Sequence, residues 1–283
     1  MMLTRDEPEV LVKRKNIPTL VYHRVCSDHE SAHSDFVVTK TVFQKQMEYL
    51  ACHDCYTPRL DDLLTGKTNG GISAKRPVIL TFDDGYLCIY QNAFPVLQNF
   101  GFTAIVFPVT DFSRRTNWWD FKDKAMRAPL LEPHHVDEMR TAGIQFGSHS
   151  VNHPSLPCLA DDELVEELVR SKQTLEDITK ETVSMLAYPY GDVNERVKSA
   201  AREAGYSCAF AVNSGPFNFY KDVYEIRRVS VANNSNATYM FSILSGLNAA
   251  YKWGKWSAKR LLGFSNQYHG ELTDLTPNAT VRG

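Results

Sequence analysis

Val78-Ile79-Leu80-Thr81-Phe82-Asp83-Asp84-Gly85-Tyr86 sets the reading of the whole chain. Val78 to Phe82 is a short apolar and β-branched run, suited to one buried strand of a parallel sheet. It ends at two adjacent carboxylates and a glycine. Side chains alternate along a strand, but at its end the backbone can turn and aim both acids into one cleft. Two anions this close stay ionised only if a cation or hydrogen-bond donors hold them. A metal would do so, with one Asp ligating it and the other free as a base. Taken alone, the stretch reads more readily as a solvated Asp-Asp-Gly turn, so partners elsewhere must decide.

Outward from that stretch, strand and helix patterns alternate. Ile17 to Val25 reads as a first strand ending in a His-Arg pair. Lys40 to Cys52 carries Val42, Phe43, Met47 and Leu50 at helical spacing behind Thr39 as N-cap. A short strand near Tyr56 and a short helix at Leu60 to Leu64 follow, then a glycine-rich loop from Gly66 to Arg76. After the central strand a helix reaches about Asn99 and stops at Gly101. Strands are predicted at Thr103–Val109, Ile144–Ser148, Val183–Tyr188, Tyr206–Val212 and Glu225–Val231. Between them, helices are predicted at Pro133–Ala142, Asp161–Thr179 and Asp192–Ala204, the second with an acidic first turn and one apolar face. The alternation predicts a single α/β domain with parallel strands. An open doubly wound sheet and a barrel both fit it.

Composition narrows the function classes. The 283 residues have the apolar and charged fractions of a soluble globular protein, and the net charge of −2 leaves no nucleic-acid footprint. No apolar run approaches the roughly 20 residues of a membrane span, and Met1 to Asn16 lacks the apolar core of a signal peptide. The expected location is cytoplasmic or peripheral to a membrane. The six cysteines are scattered. Cys52 and Cys55 form the one close pair, and without a second such pair they read as free thiols rather than a zinc knuckle.

Two further motifs supply partners for the Asp pair. In Gly147-Ser148-His149-Ser150-Val151-Asn152-His153-Pro154 the histidines are four apart, which in one helical turn puts both imidazoles on the same side. Two His nitrogens and one carboxylate make a three-ligand set with open positions for water and substrate. Such a set suits zinc, and Fe, Co or Ni would also fit. Ala187-Tyr188-Pro189-Tyr190-Gly191 stands at another strand end, where the turn could aim the Tyr190 N–H into the cleft as an oxyanion donor.

Thr-Phe-Asp-Asp-Gly, then His-Ser-x-x-His, then Pro-Tyr, in this order, resembles the polysaccharide deacetylases, the NodB-like carbohydrate esterase family 4. The resemblance spans about Ile17 to Val231. It implies a distorted (β/α) barrel with fewer than eight regular strands, acting as a metal-dependent N-deacetylase of N-acetylated amino-sugar glycans. By that resemblance Asp83 matches the catalytic base, Asp84, His149 and His153 the metal ligands, Ser150 a residue shaping their loop, and Tyr190 the amide that steadies the tetrahedral intermediate. The sequence departs from the family at two points. Ala187 stands where an Arg usually pairs with the base, and Arg228 or Arg227 could supply that cation from another strand end. The late Leu-x-His motif that supplies the general acid is also missing, since His269 lies in a polar tail. Leu20-Val21-Tyr22-His23 resembles the corresponding segment of the circularly permuted exopolysaccharide N-deacetylases, which makes His23 the candidate acid.

Trp118, Trp119 and Tyr190 offer rings for stacking on sugar faces, and Asp120 a polar contact or a helix cap. Tyr251 to Phe264 mixes basic and aromatic residues that could rest on an anionic membrane surface. The expected division is an extension at 1–16, a deacetylase barrel at 17–236 and a helical or polar extension at 237–283. The competing reading is a glycan-binding or assembly module of the same fold without turnover.

Overall fold

The structure is a computed structural model, and it describes residues 17–29, 36–65, 75–119, 127–212 and 222–247. The basic-aromatic segment 251–264, Asp120 and His269 lie outside these residues.

The first predicted strand is broken in two. β1 (Thr19–Tyr22) is fully buried, His23 interrupts it, and β2 (Arg24–Cys26) turns away to pair with β3 (Val37–Thr39). α1 (Lys40–Cys52) begins where expected, with the Thr39 hydroxyl accepting from Val42 N. It buries Phe43, Met47 and Leu50. β4 (Cys55–Tyr56), α2 (Leu60–Thr65) and β5 (Arg76–Pro77) lead into β6 (Ile79–Asp84), whose six residues are all buried.

After β6 the chain winds through a π-helical turn at Ile89–Ala93 into α3 (Phe94–Phe100), closed by Gly101 in the left-handed region. β7 (Ile105–Pro108), α4 (Pro133–Thr141) and β8 (Gln145–Phe146) follow, then α5 (Asp161–Thr179) and β9 (Met185–Ala187). The last elements are α6 (Glu195–Glu203), β10 (Cys208–Ala211), β11 (Ile226–Arg227), β12 (Val229–Ser230) and α7 (Ala237–Leu244).

Among the described residues the named strands all pair in parallel. One sheet runs β12-β1-β6-β7-β8 and another β11-β10-β9. Two seams join them into a closed ring. Ser148, two residues past β8, bridges Leu186 in β9 through Ser148 N to Met185 O and Ala187 N to Ser148 O, both 2.8 Å. On the other side β11 pairs with β10 while β12 pairs with β1, so one segment, broken only at Arg228, serves both sheets. The strand ring is therefore the distorted barrel the sequence resemblance implied, with the doubly wound sheet excluded by the closure. Phe107 and Phe210 pack their rings 5.3 Å apart within the strand layer, and the helices cover its outside. Among the described residues no helix is long and apolar enough to cross a membrane.

Candidate active site

Asp83 and Asp84 end β6, registered against Phe107 and Pro108 of β7. Asp84 has φ 68° and Gly85 φ 77°, so the chain turns sharply here and both carboxylates reach the same end of the barrel. Gly85 allows the turn: a Cβ there would lie 2.6 Å from Cβ of Pro108.

Asp83 is buried and its carboxylate is held by Arg228, with Nη1 to Oδ1 at 2.6 Å and Nη2 to Oδ2 at 2.7 Å. Arg228 is itself buried, and donates also to the Thr81 hydroxyl and the Ala211 carbonyl. Its guanidinium lies 5.8 Å from both the Phe107 and Phe210 ring centres. Burial raises the pKa of Asp83, but the Arg228 charge outweighs it and holds the acid below the usual carboxylate range. The choice left open between two arginines is thus decided by geometry. Arg227 is half-buried and pairs with Glu225 at 3.3 Å, whereas Arg228 sits at the break between β11 and β12 and turns inward to Asp83.

Asp84 faces the two histidines. Its Oδ1 lies 3.4 Å from Nε2 of His149 and 3.3 Å from Nε2 of His153. One donor atom from each residue falls within 4.8 Å of the others, and all three side chains are buried. Burial again works to raise the Asp84 pKa, and the two imidazoles beside its Oδ1 hold it well below the usual carboxylate range. Burial lowers His153, while for His149 the two carboxylates override burial and raise it.

The histidines do not sit on a helical turn. The segment after Ser148 is irregular, with Ser150 at φ 64° and His153 at φ 59° in the left-handed region, and these two reversals bring the imidazoles together. Ser150 is part of that loop's bracing: its hydroxyl accepts from His153 N, and its carbonyl accepts from Thr110 N and the Thr110 hydroxyl.

A divalent cation fits this donor set. His149 Nδ1 lies 2.8 Å from the Ala187 carbonyl, which can only accept, so Nδ1 carries a proton and, when the ring is neutral, its Nε2 lone pair faces Asp84. A lone pair directed at a carboxylate is repulsive unless a proton or a cation lies between. Arg228 balances one of the two buried carboxylates, and a cation at the three donors would balance the other.

Around this centre, Trp119 stacks on His153 with centroids 4.6 Å apart and planes at 19°, and Tyr190 meets the same ring edge-on at 4.5 Å. Trp118 packs on Trp119 and under the Arg114 guanidinium. Tyr190 is 56% exposed and has φ 59°, so its turn is left-handed as well. His23, at the break between β1 and β2, packs on Phe36, and its imidazole acts electrostatically on both Asp83 and Asp84.

The chain is similar to several known deacetylases. Residues 70–209 match the family described as polysaccharide deacetylase. The chain is 28% identical over 224 residues to YxkH of Bacillus subtilis, a candidate polysaccharide deacetylase, covering 78% of this chain and 73% of that one. It is 27% identical over 213 residues to the poly-β-1,6-N-acetyl-D-glucosamine N-deacetylase of Staphylococcus epidermidis, covering 72% of this chain and 71% of that one. Among solved structures, the Streptococcus pyogenes deacetylase PplD in complex with acetate has the same fold, with a TM-score of 0.69 at 24% identity over 81% of this chain and 98% of that chain. The fold is the distorted α/β barrel shared with that solved deacetylase. Residues 70–209 carry a polysaccharide deacetylase domain.

Proposed function

We propose that the protein removes N-acetyl groups from an amino-sugar glycan, a surface polysaccharide or its precursor, using a divalent metal and Asp83 as base. The observation that carries this reading is the convergence of Asp84, His149 and His153 beside a separate carboxylate already neutralised by arginine. Binding a glycan requires neither three ligands nor a spare base, so turnover is favoured over a binding module. The relative that acts on poly-β-1,6-N-acetyl-D-glucosamine makes a poly-N-acetylglucosamine chain the first substrate to try.

Asp84, His149 and His153 would hold the ion, with zinc the first candidate from the donor set and Fe, Co or Ni also suited. When bound, it supplies a Lewis acid that polarises the acetyl carbonyl and makes water more acidic. Asp83 takes the proton of the attacking water, and Arg228 keeps it ionised and aimed. The Tyr190 N–H donates to the oxyanion as it develops. His23 passes a proton to the departing sugar amine, and acetate is released. Trp118, Trp119 and the exposed Tyr190 ring line the approach and give apolar faces for sugar rings.

Acetate release from β-1,6-linked N-acetylglucosamine oligomers, measured before and after chelation and after zinc is returned, tests the reading. Release that is abolished by the chelator and restored by zinc is expected. Release that continues unchanged in the chelated protein would rule out the metal role, and no release from any N-acetylated glycan would return the binding module.

A further inference from the structure

The inner face of α5 is not wholly apolar. Leu164, Leu168 and Leu175 are buried as a packing helix requires, but Glu167 and Ser171, one turn apart, are buried with them. A buried acid is the informative exception on such a face, because desolvating it is unfavourable without donors. Glu167 has three. Its Oε2 accepts from the backbone N–H of Val151 at 2.8 Å and of Asn152 at 2.9 Å, and its Oε1 accepts from the Asn152 side-chain amide at 2.6 Å.

Val151 and Asn152 are central in the chain joining His149 to His153. That stretch holds two non-glycine residues at positive φ, a backbone form that persists only where surrounding contacts impose it. The second polar residue of α5 supports its other end. Ser171 Oγ lies 2.5 Å from Ser148 Oγ, which accepts from Ser150 N.

We infer that Glu167 is a positioning residue for the metal centre: by gripping the backbone between the two histidines from α5, it sets the affinity of the site. The inference rests on the metal reading of Asp84, His149 and His153. It needs the acceptor geometry of Glu167 and not its charge. In Glu167→Gln the amide carbonyl can take both N–H groups, and the Asn152 amide can turn over to accept from the new NH2.

Zinc affinity of the full chain, measured by competition with a chromogenic chelator, is the test, together with the melting temperature of the metal-free protein. Glu167→Ala is expected to weaken zinc binding by about 10–100-fold and Glu167→Gln by less than about threefold. Leu175→Ala, which loosens α5 two turns away, is expected to lower the metal-free melting temperature and leave zinc affinity within about threefold. If Glu167→Ala does not fold, Glu167→Asp, whose shorter reach cannot hold both N–H groups, takes its place with an expected loss of about fivefold or more. Unchanged affinity in the Ala or Asp variant, or an equal loss in Leu175→Ala, overturns the inference. Failure of the unaltered protein to bind zinc or another divalent ion overturns the metal reading itself, and this inference with it.

Discussion

At the scale of single residues, the centre depends on how two neighbouring acids are given different surroundings. Asp83 meets a guanidinium and Asp84 meets two imidazoles, so the pair is held ionised from opposite sides without sharing one counterion. Asp83→Asn keeps the shape and removes the proton acceptor. Turnover is expected to fall by about 10²–10⁴-fold, with the metal content of the purified protein unchanged. Assays of acetate release beside elemental analysis check it. Arg228→Met removes the charge that offsets burial, so the Asp83 pKa rises. Its ionised form is then lost at a higher pH, and the acid limb of the pH–rate profile is expected to move upward. A buried acid left without its partner also costs about 3–5 kcal/mol of folding stability, measurable by urea titration.

At the scale of elements, strand ends and their turns place the chemistry. β6 delivers the acids, the break between β1 and β2 delivers His23, the loop after β8 delivers the histidines, and the break between β11 and β12 delivers Arg228. Each is a point where the regular ladder stops and a left-handed residue or an unpaired position turns the side chain. Gly85→Ala tests how tightly one such turn is set. A side chain at φ 77°, 2.6 Å from Pro108, forces either the turn or β7 to move. A loss of about 2 kcal/mol or more is expected from chemical denaturation, with weaker zinc binding because Asp84 shifts with it.

At the scale of the whole molecule, the barrel must close around the last strand. Lys198 of α6 is buried and donates to Asp222 at 2.8 Å and to Glu195 at 3.1 Å, and it reaches Glu225 at 2.5 Å, so it fastens the chain entering β11 to the outer helix layer. Burial raises Asp222, but the Lys198 hydrogen bond and charge hold it below its ordinary value, and the same contacts raise Lys198 against its own burial. A depressed acid stabilises the fold above its unfolded pKa, and that contribution fades as pH falls through the lower, folded value. A raised lysine stabilises below its unfolded pKa and loses the contribution at strongly alkaline pH. Lys198→Met is therefore expected to cost about 1–3 kcal/mol near pH 7, where water screens the half-buried carboxylates in part. The gap from the unaltered protein should narrow below about pH 4, where Asp222 is neutral in the variant. Urea titrations of both proteins from pH 2 to pH 8 would show it.

Much of this was legible in the sequence, because strand-length apolar runs and capped helices are local. Lys40–Cys52 and Asp161–Thr179 were bounded by their own periodicity and end residues, and the acids of β6 stood at the end of an unmistakable apolar run. The two-residue strands β8, β11 and β12 carry too little pattern to be bounded that way, and their pairing is set by neighbours far along the chain. The helical spacing of His149 and His153 suggested a turn of helix, whereas left-handed residues, stabilised from α5 and Thr110, bring them together. Glu167 is one of several acids on a charged helix, and only the packing of α5 against the histidine loop distinguishes it from Glu163 or Glu166. The sequence by itself determined which residues could do the chemistry and which elements bear them, because residue type and short-range period are written in the chain. Tertiary structure alone decided the closure of the barrel, the choice of Arg228 over Arg227, and the grip of α5 on the histidine loop. Each of these depends on contacts between residues 15 to 209 positions apart, and no local pattern encodes such distances.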